Sequence, residues 1–220
     1  MTANGLNGSG VSMFQQGQYH AAIEHFQQAR ANDPLNADAV YNLAATYHRM
    51  GKLNSGQATL AQSENLYNQC LDISPDHVDC HRGLAVLLVE TERPDKAFKL
   101  LEGWNRRSPH VADARIELAR LYEEFGDKQA TKQNLEQALV IDPTSYRSAR
   151  AWGALAKLKE DQGDYSQALA NYQRSHHLNS LQPVVAQRIA MLQRSQVGFP
   201  GMTPPGGTRL VETPMSPIRY

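Results

Sequence analysis

Prolines at 34, 75, 109, 143 and 183 divide this chain at intervals of 41, 34, 34 and 40 residues, and each follows an apolar, Ala-containing stretch. Counting back five, eight, twelve and seventeen residues from Pro34 gives Ala29, Phe26, Ala22 and Gly17; from Pro143 it gives Ala138, Leu135, Thr131 and Gly126. A recurring small–large–small–Gly order at one offset predicts a unit that repeats, and the spacing inside the unit predicts two helices. Leu118, Ala119 and Tyr122 share one face of a first helix, Gly126 ends it in the left-handed conformation, and Thr131, Leu135 and Ala138 form the stripe of a second. One such hairpin cannot bury its apolar face alone, so successive hairpins must stack.

Composition agrees with a helical body: Ala, Leu, Gln, Glu, Lys and Arg abound from residue 1 to 197, and no stretch alternates as a strand does. The end of the chain is different, with five Pro and four Gly among residues 198–220, and is expected to be a flexible tail. Its last part, TRLVETPMSPIRY (208–220), is apolar enough to suggest self-association, by lying in a groove of its own or a neighbouring molecule, or a role as the ligand of another protein. Balanced charge, 22 Lys+Arg against 22 Asp+Glu, argues against nucleic acid as a partner, and no apolar run approaches the length of a membrane span. No leader is visible, which makes a cytoplasmic location the default and an extracytoplasmic one the reading if a leader was trimmed before Met1.

At these positions the sequence resembles the tetratricopeptide repeat (TPR) family, most closely in GQYHAAIEHFQQARANDP (17–34) and GDYSQALANYQRSHHLNS (163–180). The resemblance implies an all-α, right-handed superhelical solenoid over residues 1–197, with repeats at about 4–36, 37–77, 78–111, 112–145 and 149–182 and a capping helix at 184–197. Three departures are expected to matter. The second repeat is seven residues longer, about two helical turns, which should lengthen one or both of its helices beyond Gly51. The fifth starts three residues late and has Lys159 where an aromatic is usual. The first helix holds Gly5, Gly8 and Gly10, each costing about 1 kcal/mol, so fraying is expected there.

Catalytic motifs for phosphate loops, dinucleotide sites, nucleophile elbows or His-Glu-x-x-His metal sites are missing from the sequence, so the expectation is a non-enzymatic protein without a cofactor or catalytic residues. One cluster has the residue types for zinc, Cys70, His77, Cys80 and His81, but its spacing matches no established ligand pattern; the working expectation is no metal, with a metal-binding protein as a minor alternative and a Cys70–Cys80 disulfide as another. Function is then expected on a surface. By resemblance, the first helices line a concave groove that takes a protein or peptide ligand, with Tyr41, Asn42, His48, Arg49, Arg82, Val86, Ile116, Arg120, Glu124 and Lys157 as candidate binding residues. Positions that correspond to the carboxylate clamp of chaperone-binding relatives carry Asn7, Val11, Asn42, Asp79 and Gly83; only Asn42 fits, and Asp79 would repel a carboxylate. The leading expectation is an interaction scaffold for a peptide or helix of a partner, and the alternative an envelope-associated assembly or secretion accessory.

Overall fold

The computed structural model describes residues 1–54 and 56–196. The tail and its expected self-association lie outside the described residues, as does Val197 of the predicted cap. Among the described residues the regular structure is helical: α1 (Ala3–Gln15), α2 (Tyr19–Asn32), α3 (Ala37–Asn54), α4 (Gln57–Ile73), α5 (Val78–Glu90), α6 (Pro94–Arg107), α7 (Ala112–Glu124), α8 (Lys128–Ile141), a 3₁₀ turn (Tyr146–Ser148), α9 (Ala149–Asp161), α10 (Tyr165–Leu178) and α11 (Pro183–Gln196). They pack as two compact units, one from Met1 to Leu100 and one from Leu101 on.

The small–large–small order is the core of the first, second and fourth hairpins, while in the third Trp104 takes the place of the second small residue. Ala22, Ser63, Ala97 and Thr131 occupy the twelfth position before a proline, Phe26, Tyr67, Leu101 and Leu135 the eighth, and Ala29, Cys70, Trp104 and Ala138 the fifth; every one is buried. Burying a large apolar side chain of this kind is worth about 1.5 to 3 kcal/mol, while the small neighbours let the helix axes close around it. Polar members of the set satisfy themselves locally: Ser63 Oγ donates to the Ala44 carbonyl at 2.8 Å, and Ser175 Oγ to that of Ala149 at 2.7 Å.

Helix ends follow from the sequence. Gly17, Gly126 and Gly163 stand at φ 76°, 80° and 78° after α1, α7 and α9, and Glu92 takes the same left-handed position (φ 60°) after α5, where the repeat lacks its glycine. Asp127 and Asp164 cap α8 and α10, accepting from the amides of Ala130 and Gln167.

The second repeat absorbs its extra residues by lengthening both helices, to 18 residues in α3 and 17 in α4 against 13 or 14 in the other α-helices. Gly51 does not end the first helix as its neighbours' glycines do; α3 continues to Asn54, and Gly51 lets α4 approach, since a Cβ there would stand 2.5 Å from Leu60 Cδ2. The late start of the fifth repeat is taken up by the 3₁₀ turn, in which Ser145 Oγ accepts from the Ser148 amide. The glycines of α1 do not interrupt it. Thr2 caps the helix, and Gly10 packs on the Phe26 ring, where a Cβ would come within 2.5 Å of Cε1.

Candidate interaction surface

In the first unit, α3 and α5 carry six of the predicted binding residues, and α3 turns out to face its neighbours more than solvent. Asn42 is fully buried, its Nδ2 donating to Oδ1 of buried Asn7 at 2.9 Å, so it ties α3 to α1. His48 is buried too, with Nε2 2.8 Å from Glu90 Oε2 and Nδ1 3.4 Å from the Tyr67 hydroxyl. Burial acts to raise the Glu90 pKa, but hydrogen bonds from His48 and from Lys52, at 2.6 Å, outweigh it and hold the carboxyl below its usual range. Enclosure raises the Tyr67 phenol well above its ordinary value. Tyr41 is 8% exposed, its ring between those of Tyr67 (6.2 Å) and His77 (5.6 Å). Arg49 is exposed; Arg82 and Val86 are half-buried, with Arg82 Nη1 donating to Asp79 Oδ1 at 2.8 Å.

In the second unit Ile116 belongs to a core cluster with Ala119, Leu135 and Leu155. The other three predicted residues reach solvent. Arg120 Nε donates to Glu117 Oε2 at 3.1 Å, Lys157 Nζ donates to Glu123 Oε1 at 2.6 Å, and Glu124 is exposed. The Glu117 side chain, 2% exposed, also lies 3.9 Å from Arg150 Nη1, and Asp113 accepts from Arg147 at 3.1 Å. Three carboxylates of α7 thus meet three cations at or beside α9. Near the end of this unit Glu160 gathers the Tyr172 hydroxyl, at 3.0 Å, and the guanidinium of Arg188 from α11. Burial, then the charge of Glu160, pushes the Tyr172 phenol up.

Four predicted residues, Tyr41, Asn42, His48 and Ile116, are therefore buried and offer a ligand little or no side chain, because they sit where one first helix packs on its neighbours. Arg49, Arg82, Val86, Arg120, Glu124 and Lys157 remain accessible. Glu117 is outside the predicted stripe; the signal that finds it is opposite charge at about the repeat distance, with Asp113–Arg147 and Glu123–Lys157 both 34 residues apart.

Of the cysteine–histidine cluster, the structure brings together Cys70, His77 and Cys80. The cysteines form a disulfide with a Cα–Cα distance of 6.5 Å. His81 turns away, its Nδ1 3.2 Å from the His77 carbonyl oxygen.

Antiparallel helix hairpins with a repeated small–large–small core, ended by left-handed residues and closed by a C-terminal amphipathic helix, define a helical-repeat protein. Family models described as TPR repeat match residues 10–51 and as tetratricopeptide repeat match 37–77, 112–145 and 149–175, and the chain belongs to the tetratricopeptide repeat family. Among curated proteins it is 24% identical over 170 residues to the BBSome complex member BBS4 of Bos taurus, covering 77% of this chain, and 29% identical over 197 residues to the protein O-mannosyl-transferase TMTC1 of Homo sapiens, covering 86%. The chain spans 31% of the first and 21% of the second. Among solved structures, a TPR protein of Thermus thermophilus superposes with a TM-score of 0.63 at 22% identity, over 88% of this chain and all of that one. Pseudomonas aeruginosa pilF gives 0.58 at 16%, over 89% and 84%. The tetratricopeptide fold is in general a non-enzymatic scaffold for protein–protein interaction, and no helix among the described residues is long and apolar enough to cross a membrane.

Proposed function

We propose that this chain binds an extended peptide or a helix of a partner protein along the first helices of its repeats, with Arg49, Arg82, Val86, Arg120, Glu124 and Lys157 as contact residues. The supporting observation is the state of the basic side chains. Arg82, Arg120 and Lys157 are neither buried nor loose: each is part-exposed and held by an acidic neighbour within 3.1 Å. A cation fixed in this way has already lost much of its rotamer freedom, which lowers the ordering cost of binding. Arginine is also enriched among residues that dominate binding energy.

The test is retention of partner proteins from the native extract by the immobilised full chain, identified by mass spectrometry, against the variant Arg82→Glu plus Arg120→Glu. Loss of a specific partner by that variant, with retention by the control Lys99→Glu on α6, supports the reading. Equal retention by all three, or no specific partner for any, refutes it. A chain shortened to Val197 tests the tail: partners that appear only after shortening would make the tail a competitor for the same face.

A second reading, an extracytoplasmic assembly or secretion accessory, is favoured by the Cys70–Cys80 cross-link, since disulfides persist in oxidising compartments. Thiol alkylation in intact cells before lysis tests it: modification of both cysteines would count against it.

A further inference from the structure

The Cys70–Cys80 pair sits beside a histidine whose tautomer is set from both sides. The two sulfurs and a ring nitrogen of His77 lie within 4.8 Å of one another. His77 Nδ1 accepts from the Cys80 amide at 3.2 Å, so Nδ1 carries the lone pair and Nε2 the proton. That proton is donated to Asp38 Oδ1 at 3.1 Å, from the first turn of α3. A carboxylate behind a histidine, fixing the ring and raising the basicity of the other nitrogen, is the support that metal-ligating histidines commonly have.

We propose that Cys70, His77 and Cys80, once the cross-link is reduced, form a three-ligand site for a thiophilic divalent cation, with zinc as the reference ion and Asp38 as the residue that positions the imidazole. The cysteines are buried and His77 is largely covered, its side chain 13% exposed. Two thiolates and a neutral imidazole around a dication sum to no net charge, which suits a site with little water. Zinc binds thiolate at about 2.3 Å and imidazole at about 2.0 to 2.1 Å, which puts its tetrahedral ligand atoms roughly 3.5 to 3.8 Å apart. In the cross-linked chain the two sulfurs are bonded to each other and a His77 ring nitrogen lies within 4.8 Å of both, so opening the disulfide has to let the sulfurs rotate apart to reach that spacing. Oxygen-preferring ions such as magnesium and calcium find no oxygen in this ligand set. The fourth position of a tetrahedral ion is left for water or another small donor.

Formation is a redox event followed by ligation. A dithiol reductant gives up two electrons and two protons, becoming a cyclic disulfide, as the Cys70–Cys80 bond breaks and each sulfur takes a proton. Zinc then displaces those two protons to solvent as it binds the two thiolates and the His77 Nδ1 lone pair, which gives up its hydrogen bond from the Cys80 amide to the metal. The disulfide and the metal centre exclude each other, because both use the same sulfur atoms.

The experiment uses the untagged full chain, reduced with a phosphine, which takes up the oxygen of one water molecule to become the phosphine oxide, then desalted without oxygen. It is given zinc sulfate and passed through gel filtration for metal analysis. The expected result is about one zinc per reduced chain, none in the oxidised chain and none in the reduced Cys70→Ser plus Cys80→Ser variant. Cobalt(II) in place of zinc should show thiolate charge-transfer absorption in the wild type alone. His77→Asn keeps a capping side chain but removes the imidazole, and Asp38→Asn weakens the support behind it; in chelator competition Asp38→Asn should lower zinc affinity about 10- to 100-fold and His77→Asn by at least as much. Zinc content in the reduced wild type no higher than in the double serine variant, or a His77→Asn affinity equal to wild type, would overturn the proposal. Should reduction diminish the helical circular dichroism, zinc must restore it in the wild type and fail to do so in the double serine variant; any other pattern also overturns it.

Discussion

The same substitution, Gly to Ala inside a helix, should have opposite signs at two places in this chain. At Gly8, within α1, a new Cβ meets nothing within 4 Å, so only the helix preference remains, about 1 kcal/mol in favour of Ala. At Gly83, within α5, the same Cβ would stand 2.6 Å from both Cε1 and Cζ of Tyr67 and 2.7 Å from its hydroxyl oxygen. Carbon atoms rest about 3.5 to 4.0 Å apart, so the ring would have to move by roughly an ångström. Tyr67 is fully buried, with the Tyr41 and His48 rings on it, and has no open side to retreat into. Overpacking of this sort costs about 1 to 3 kcal/mol, and with two ring carbons and the hydroxyl oxygen struck the upper end applies. Net of the helix preference, Gly83→Ala should destabilise by about 1 to 2 kcal/mol, lowering Tm by roughly 2 to 8 °C, while Gly8→Ala raises it by about 2 to 4 °C. Urea unfolding followed by circular dichroism should show the two midpoints moving in opposite directions at unchanged slope. Shrinking the obstacle should restore the ordinary sign, so Gly83→Ala in a Tyr67→Leu background should be neutral or stabilising. A rise in midpoint for Gly83→Ala in the native background, equal to that of Gly8→Ala, would mean that α5 does not lie on the Tyr67 ring and would refute the packing argument.

Glu90 predicts an acid dependence. Its pKa is lowered from 4.5 on folding, so its contribution is fully present above the unfolded value and is lost as pH falls through the lower folded value. The stability gap between wild type and Glu90→Gln should be constant above about pH 5 and close below about 4.5; a gap that persists unchanged to about pH 3 would contradict the ion-pair geometry. Ser63→Ala and Ser175→Ala each remove a buried hydroxyl that donates to a first-helix carbonyl, at a cost of about 1 kcal/mol. The two sites lie in separate units, so their effects should add in denaturant melts, and no change in either midpoint would show that these bonds do not hold the hairpins.

The fold was legible wherever an offset from proline decides it. Phe26, Tyr67 and Leu135 are buried because a helical period places them between small neighbours, and that period can be counted from the sequence alone. Gly10 and Gly51 were not legible in the same way. Spacing makes one a weakness of α1 and the other the end of a helix, because what each makes room for, the Phe26 ring and the Leu60 side chain, depends on how closely a second helix comes. The interaction face was partly legible. Each residue advances about 100° around a helix, so a stripe chosen by spacing includes its own borders, and Tyr41, Asn42, His48 and Ile116 fall on the border that packs against neighbouring helices. Arg82, Arg120 and Lys157 follow from that spacing; Glu117 on α7 needs a second rule, charge of opposite sign about one repeat away.

That second rule bears on how such a chain can change. Asp113, Glu117 and Glu123 on α7 have their mates on Arg147, Arg150 and Lys157, so the fourth and fifth repeats are matched to each other rather than interchangeable. Deleting the fifth together with the turn that carries Arg147, or grafting another hairpin in their place, would take a cation from three carboxylates at once, Glu117 among them with its side chain 2% exposed. Their order along the chain is written in paired charges, and a duplication would be tolerated only where the copied unit brought both halves of each pair with it.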